Sequence, residues 1–165
     1  MQKKYLTSRL VLRPVNLHDA AFILELLNTK GWIQFIGDRK VNTTEDSRNY
    51  IQKIMANPHT LYWVARLERE HTSVGIISFI KRSYLEHWDI GFAFLPAFFG
   101  KGYARESAEK ILQEMLKNPQ HATILATTKV DNQSSIHLIE KIGFHFKKEM
   151  ENETERLLLY SITAN

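Results

Sequence analysis

Phe94-Leu95-Pro96-Ala97-Phe98-Phe99-Gly100-Lys101-Gly102-Tyr103-Ala104-Arg105-Glu106 is the stretch whose chemistry organises the rest of this chain. An apolar, strand-like run ends at Pro96, two glycines two residues apart follow, and a helical pattern then begins. Glycine there permits a tight turn and lets backbone N–H groups approach a ligand closely. A helix that opens directly afterwards offers unpaired N–H groups and the positive end of its dipole, a favourable seat for phosphate. The stretch reads as strand, anion-binding turn, helix. A plain strand-to-helix turn explains the same glycines equally well. The run lacks the GxxxxGK[ST] spacing of a P-loop and the third glycine of GxGxxG, which points away from a Walker-type nucleotide and a Rossmann dinucleotide.

The residues leading into it, His87-Trp88-Asp89-Ile90-Gly91-Phe92-Ala93-Phe94-Leu95, alternate informatively. Side chains alternate along a strand, so Trp88, Ile90, Phe92 and Phe94 share one face and belong to the core. Asp89, Gly91 and Ala93 share the other. That face is stripped of bulk and carries one carboxylate, as expected of a strand lining a cavity with an acid at one end.

A second stretch narrows the reading: Val130-Asp131-Asn132-Gln133-Ser134-Ser135-Ile136-His137-Leu138-Ile139-Glu140-Lys141-Ile142-Gly143-Phe144. Together the two stretches resemble the GNAT superfamily of acyl-CoA-dependent N-acetyltransferases, in particular the branch containing ribosomal-protein N-terminal acetyltransferases. In that branch the phosphate turn reads like P-x-x-W-G-K-G-Y-A-x-E and the later segment like N-x-x-S-x-x-x-x-E-K-x-G-F. The opening Thr7-Ser8-Arg9-Leu10-Val11-Leu12-Arg13-Pro14 is also similar to that branch. The resemblance spans nearly the whole chain.

At 165 residues, with 44% apolar and 24% charged residues, the chain reads as one domain over residues 1–165 with material for a core. The absence of cysteine excludes disulfides, thiolate metal sites and a cysteine nucleophile, and is compatible with a cytoplasmic protein. No apolar leader follows Lys3 and Lys4, and no run approaches the ~18 residues of a membrane span. The net charge of +4 suits an anionic cofactor. His18, His59, His71, His121 and His145 show no metal-ligand spacing, so no metal is expected, and His137 is given no role.

Along the chain, Arg9 to Arg13 alternates as a first strand, and Asn16 with Asp19 marks a helix start whose apolar stripe runs from Ala21 to Leu27. Lys30 to Val41 reads as an aromatic loop that covers something, with Trp32 and Phe35 either facing a substrate or plugging the core edge. Thr43 or Thr44 starts a second helix, with Glu45 and Asp46 in its first turn and Pro58 as its stop. Leu61–Leu67 and Val74–Ile80 read as strands, and Ala104 to Leu116 as a helix. Ala122–Lys129 is a strand, Gln133–Ile142 a helix closed by Gly143, and Phe144–Glu149 with Arg156–Ile162 a final strand pair. The resemblance implies a mixed α/β domain, a splayed and mostly antiparallel sheet flanked by helices, in the order β-α-α-β-β-β-α-β-α-β-β.

The resemblance also implies acetyl-CoA as co-substrate. Phe99, Gly100, Lys101, Gly102, Tyr103 and Ala104 would supply backbone N–H groups to the pyrophosphate. The strand containing Phe92 and Phe94 and ending at Leu95 would pair its backbone with the pantetheine arm. Asn132 would bond that arm, or cap the following helix, or both. Many superfamily members carry a tyrosine just before the Glu-Lys pair as acid for the departing thiolate. Here Ile139 stands there, so Ser135 or a water must serve. Asp89 matches an acidic residue that in this branch is more often glutamate, and is the candidate base, acting through water on an amine whose pKa lies near ~8 for an α-amine. His87, two residues earlier, competes for that role or is a rim residue without one.

The acceptor is expected to be a single primary amine, an α-amine of a peptide or amino-acid-like small molecule, beside apolar walls that include Trp32 and Phe35. Asp38, Glu45, Asp46, Glu86 and Asp89 are the only acids in the presumed acceptor-side segments, which disfavours a polycation. Two other readings remain: a module that binds acyl-CoA without turnover, and a basic RNA-binding domain, for which no aromatic-basic motif is present. Monomer and homodimer are both compatible with the sequence.

Overall fold

Alternating burial builds the centre of the molecule. In a computed structural model describing residues 2–151 and 154–164, β3 (Thr60–Leu67), β4 (Ser73–Ile80) and β5 (Asp89–Phe94) form an antiparallel meander. Trp63, Ile77 and Phe92 lie abreast on one face, and Tyr62, Ser78 and Gly91 on the other. The first face, with Phe79, Ile90 and Phe94, packs on Ile111 and Leu112 of α4 (Tyr103–Leu116) and Ile139 of α5 (Gln133–Lys141). The second packs through Tyr62, Val64 and Ile76 on α1 (Ala20–Leu27), α2 (Lys30–Phe35) and α3 (Thr44–Ala56). The expected division of the 88–94 run between two faces therefore holds.

Short β1 (Tyr5–Leu6) and β2 (Leu10–Pro14) extend the sheet on one side, and β6 (Thr123–Lys129), β7 (His145–Glu151) and β8 (Arg156–Thr163) on the other. The strand order is β1-β2-β3-β4-β5-β6-β8-β7, antiparallel throughout except where β5 meets β6. This is the mixed, mostly antiparallel sheet with helices on both faces that was expected. No helix among the described residues is long and apolar enough to cross a membrane.

Helix starts follow side-chain chemistry. Asn16 and Asp19 make a capping box, but it closes a short 3-10 turn that leads into α1. Thr43 and Asp46 make a second box at the head of α3. Two elements depart from the expected order, which becomes β-β-α-α-α-β-β-β-α-β-α-β-β. β1 is only two residues long, too short to show a period. The expected loop at 30–41 contains α2, whose first turn is capped by the Thr29 hydroxyl accepting from the Trp32 N–H. Trp32 anchors that helix by burial, and Gly37, at φ +123°, follows its end.

Candidate active site

Parallel β5 and β6 share a single paired position, Asp89 with Leu125, and then part. The Leu125 N–H donates to the Trp88 carbonyl at 2.9 Å, whereas the Leu95 N–H donates to Val74 of β4, also at 2.9 Å. Backbone groups alternate in direction along a strand, so those of Ile90, Phe92 and Phe94 face β6 across the widening gap. Those of Gly91, Ala93 and Leu95 face β4. Leu95 also accepts from the Phe98 N–H and buries its side chain, so it anchors the turn and gives the gap no free donor. In open sheets, crevices of this kind form at the carboxyl ends of strands.

Both lips of the gap lead into helices. Beyond β5, Gly100 and Gly102 take φ of +73° and +81°, the left-handed region that favours glycine. α4 starts on Gly102 with no side-chain cap, which leaves its first N–H groups for a ligand. Phe99 is 62% exposed at the rim, and the Lys101 ammonium lies 5.6 Å from the Phe98 ring centre. Beyond β6, Asn132 caps α5, its amide oxygen accepting from the Ser135 N–H at 3.3 Å. The capping role is therefore present, and the Asn132 amide nitrogen bonds nothing among the described residues. Ser135 is half-buried in the same first turn. Ile139, where a tyrosine acid would stand, is 1% exposed within the core.

Arg9 is the residue that sequence reasoning passed over. Its guanidinium donates through Nη1 to the Lys101 carbonyl at 2.9 Å and through Nε to Glu106 at 2.7 Å, and it lies 4.5 Å from the Tyr103 ring centre. The Arg9 N–H and the Thr7 hydroxyl donate to the other Glu106 oxygen at 2.8 and 2.6 Å. The signal was in view: the opening Thr7-Ser8-Arg9 and the glutamate ending the turn motif are two halves of one clamp. Burial pushes the Glu106 carboxyl up, but the bonds from Thr7 and Arg9 outweigh it and leave its pKa below the ordinary value. A depressed carboxylate contributes stability above its unfolded pKa of about 4.3 that is lost as pH falls through the folded value. The clamp is accordingly intact at neutral pH. With the acetyl-CoA that the resemblance implies, Arg9→Ala is expected to raise KM for that co-substrate about tenfold with little change in kcat, and Arg9→Lys to restore only part, since lysine lacks the fork. Steady-state kinetics across cofactor concentrations check this; an unchanged KM would leave the clamp without a role in binding.

Asp89 sits at the apex of the gap, 3% exposed, with both oxygens 3.1 Å from Nε of Arg82. Burial raises its pKa, and the Arg82 charge offsets only part of that rise. His87 precedes β5 and stands 3.8 Å from Glu86. On the far wall, α2 is tied to the end of β6 by the Lys129 ammonium donating to the Gln34 carbonyl at 3.0 Å. Trp32 corrects the expectation that it lines a substrate wall: it is 4% exposed among Ile23, Leu26 and Ile51, because a short helix needs an apolar anchor. Phe35 is half-buried, and Ile33 of α2 and Ile36 just past its end are exposed. No group of three or more potential ligands that could hold a metal occurs among the described residues.

The sheet thus splits between its two parallel strands, with an uncapped glycine turn on one lip. The acetyltransferase (GNAT) domain model matches residues 9–145, and the chain belongs to that family. An uncharacterized N-acetyltransferase of Bacillus subtilis, YnaD, is 30% identical over 146 residues, covering 86% of this chain and 85% of that protein. A GNAT-family acetyltransferase from Bacillus anthracis superposes with a TM-score of 0.82 at 27% identity over 98% of each chain. RimL, a ribosomal L7/L12 alpha-N-protein acetyltransferase solved with coenzyme A, gives 0.85 at 16% identity over 98% of each chain, a likeness of fold.

Proposed function

We propose that this chain transfers the acetyl group of acetyl-CoA to a single primary amine, the α-amine of a peptide or amino-acid-like compound, within a ternary complex. The observation that carries the reading is the gap between β5 and β6, with unpaired backbone along Phe92 and Phe94 and the uncapped Gly100–Gly102 turn at its mouth. The fit is chemical: extended backbone groups suit the amides of a pantetheine arm, and free helix N–H groups suit a pyrophosphate. The thioester supplies the acyl carbon. The amine nitrogen forms the new C–N bond as the C–S bond breaks, the ammonium proton leaves through water toward Asp89, and the thiolate takes a proton from Ser135 or a water. Asn132, whose amide nitrogen bonds nothing among the described residues, orients the arm. Trp32 drops out of the acceptor wall, which leaves Phe35 with Ile33 and Ile36 as its apolar part.

The test is thiol release from acetyl-CoA with a panel of amines that includes peptides, amino acids and spermine. Ser135→Ala is expected to lower kcat about tenfold or more while leaving cofactor binding nearly unchanged. A rise in KM alone would make Ser135 a binding residue. The buried Ile139 in place of an acid supports one other reading, a module that binds acyl-CoA without turnover. Calorimetric binding of CoA with no thiol release from any amine would select it, and spermine outperforming every α-amine would overturn the acceptor assignment.

A further inference from the structure

Two arginine–aspartate pairs in this chain are built differently. Arg13 meets Asp19 with its fork, Nη1 and Nη2 each on one carboxylate oxygen at 2.8 and 2.5 Å, the arrangement that neutralises a buried acid most fully. Arg82 meets the equally buried Asp89 through Nε alone, at 3.1 Å to both oxygens. Its two Nη groups bond nothing among the described residues, and its side chain is 34% exposed. A guanidinium held from behind by a buried carboxylate, with its fork left open, is a preorganised receptor for a second planar or tetrahedral anion.

The surroundings favour an anion. Across the sheet, Tyr62 lies abreast of Ser78 and Gly91, one row along from Asp89 on the same face, and its hydroxyl is 3.4 Å from that of Tyr50. Burial pushes the Tyr62 hydroxyl well above its ordinary pKa and Tyr50 adds to the rise, while Arg39 and Arg82 are the positive groups acting against it. Arg39 itself makes no hydrogen bond or ion pair among the described residues. Of the acids on this side, Asp38 pairs with Lys40 at 2.9 Å and Asp46 closes the capping box of α3, while Glu86 is exposed with only His87 beside it, at 3.8 Å, and Glu45 lies in the first turn of α3. Beside Tyr62, the Arg82 fork and Arg39 are cations without an acid on them among the described residues.

We propose that the open fork of Arg82, assisted by Arg39, recognises an anion carried by the acceptor close to its amine, so that the substrate is an amine bearing a free carboxylate or a phosphate. This rests on the acetyl-transfer reading above and narrows its acceptor. Arg82 is a specificity residue in this role: its inner edge keeps Asp89 in place and its outer edge selects the acceptor. A bare peptide α-amine flanked only by neutral amides offers nothing to that outer edge, and a polyamine is repelled.

The experiment pairs acceptors that differ only in the anion: amino acids against their α-amides, and phosphoethanolamine against ethanolamine, with kcat/KM read from thiol release. The anionic member of at least one pair is expected to be preferred by about 10- to 100-fold, the worth of hydrogen bonds to a charged group. The pair that shows the preference separates carboxylate from phosphate. Arg82→Gln is expected to slow both members, because Asp89 loses its partner, and also to erase the preference, the anionic member losing the further 10- to 100-fold through KM; Arg82→Lys is expected to keep part of it. Equal use of both members by the native chain overturns the proposal while leaving acetyl transfer standing. Equal slowing of both members in Arg82→Gln overturns it too, because a purely structural partner of Asp89 would act that way. CoA binding without acetylation of any amine sinks both readings together.

Discussion

Gly102→Val is expected to lose CoA binding by at least about 100-fold while the chain still folds. Two effects coincide there. The φ of +81° lies where a side chain costs about 1–2 kcal/mol, and a β-branched one more. A Cβ would also stand 3.2 Å from Nη2 of Arg9, so the clamp on the Lys101 carbonyl has to shift. The strain is small beside the ~5–15 kcal/mol that holds a domain together, so the fold survives. The turn does not, and several charge-assisted N–H contacts to phosphate fail together. Calorimetry of the folded variant with CoA checks this; unchanged affinity would remove the turn from the cofactor site. Gly100→Ala, at φ +73° with open space around it, should lose less.

Asp89→Asn is expected to slow turnover by about 100-fold near neutral pH, the usual contribution of a positioned base. The defect should shrink as pH approaches the ~8 of an α-amine, where the acceptor is already neutral without help. Stability should suffer little. Because burial raises the pKa of Asp89, the group contributes stability below its unfolded value of about 3.9 that is lost as pH rises through the folded value. Its charged form at neutral pH is therefore no asset to the fold, and Arg82, partly exposed, can take water in place of the lost carboxylate. A pH–rate profile of the variant parallel to that of the native chain would exclude Asp89 as the base, whatever the size of the loss.

Local chemistry in the chain told most of the fold. The alternation from Trp88 to Phe94, the glycine pair after Pro96, the Asn16–Asp19 pair and the helix start at Thr43 or Thr44 each act within a few residues, and the structure settles the last as a capping box at Thr43 and the third as a 3-10 turn that leads into α1. What escaped was of two kinds. Arg9 and Glu106 are 97 residues apart, and nothing local says that a strand-opening arginine will reach the turn. Arg82 and Asp89 are only seven residues apart, but the loop between them has no period from which to read a contact. The 30–41 segment read as an aromatic loop, yet a threonine cap and one buried tryptophan suffice to hold six residues in a helix. The glycine turn was legible as a candidate anion site from the residues alone. The acceptor side was not, because its character depends on which charges the fold leaves unpaired.

Strands that part after one rung leave two raw edges inside the sheet. Elsewhere in proteins such edges lie on the outside and recruit other strands, which makes them a hazard for aggregation. Here α4 and α5 pack against the sheet beside the opening, and the end of β6 is tethered to α2, so a neighbouring chain has poor access. A slender, extended molecule with amides of its own can enter where a polypeptide cannot. On the acyl-CoA reading, the break in the ladder works as a filter on shape before any side chain takes part.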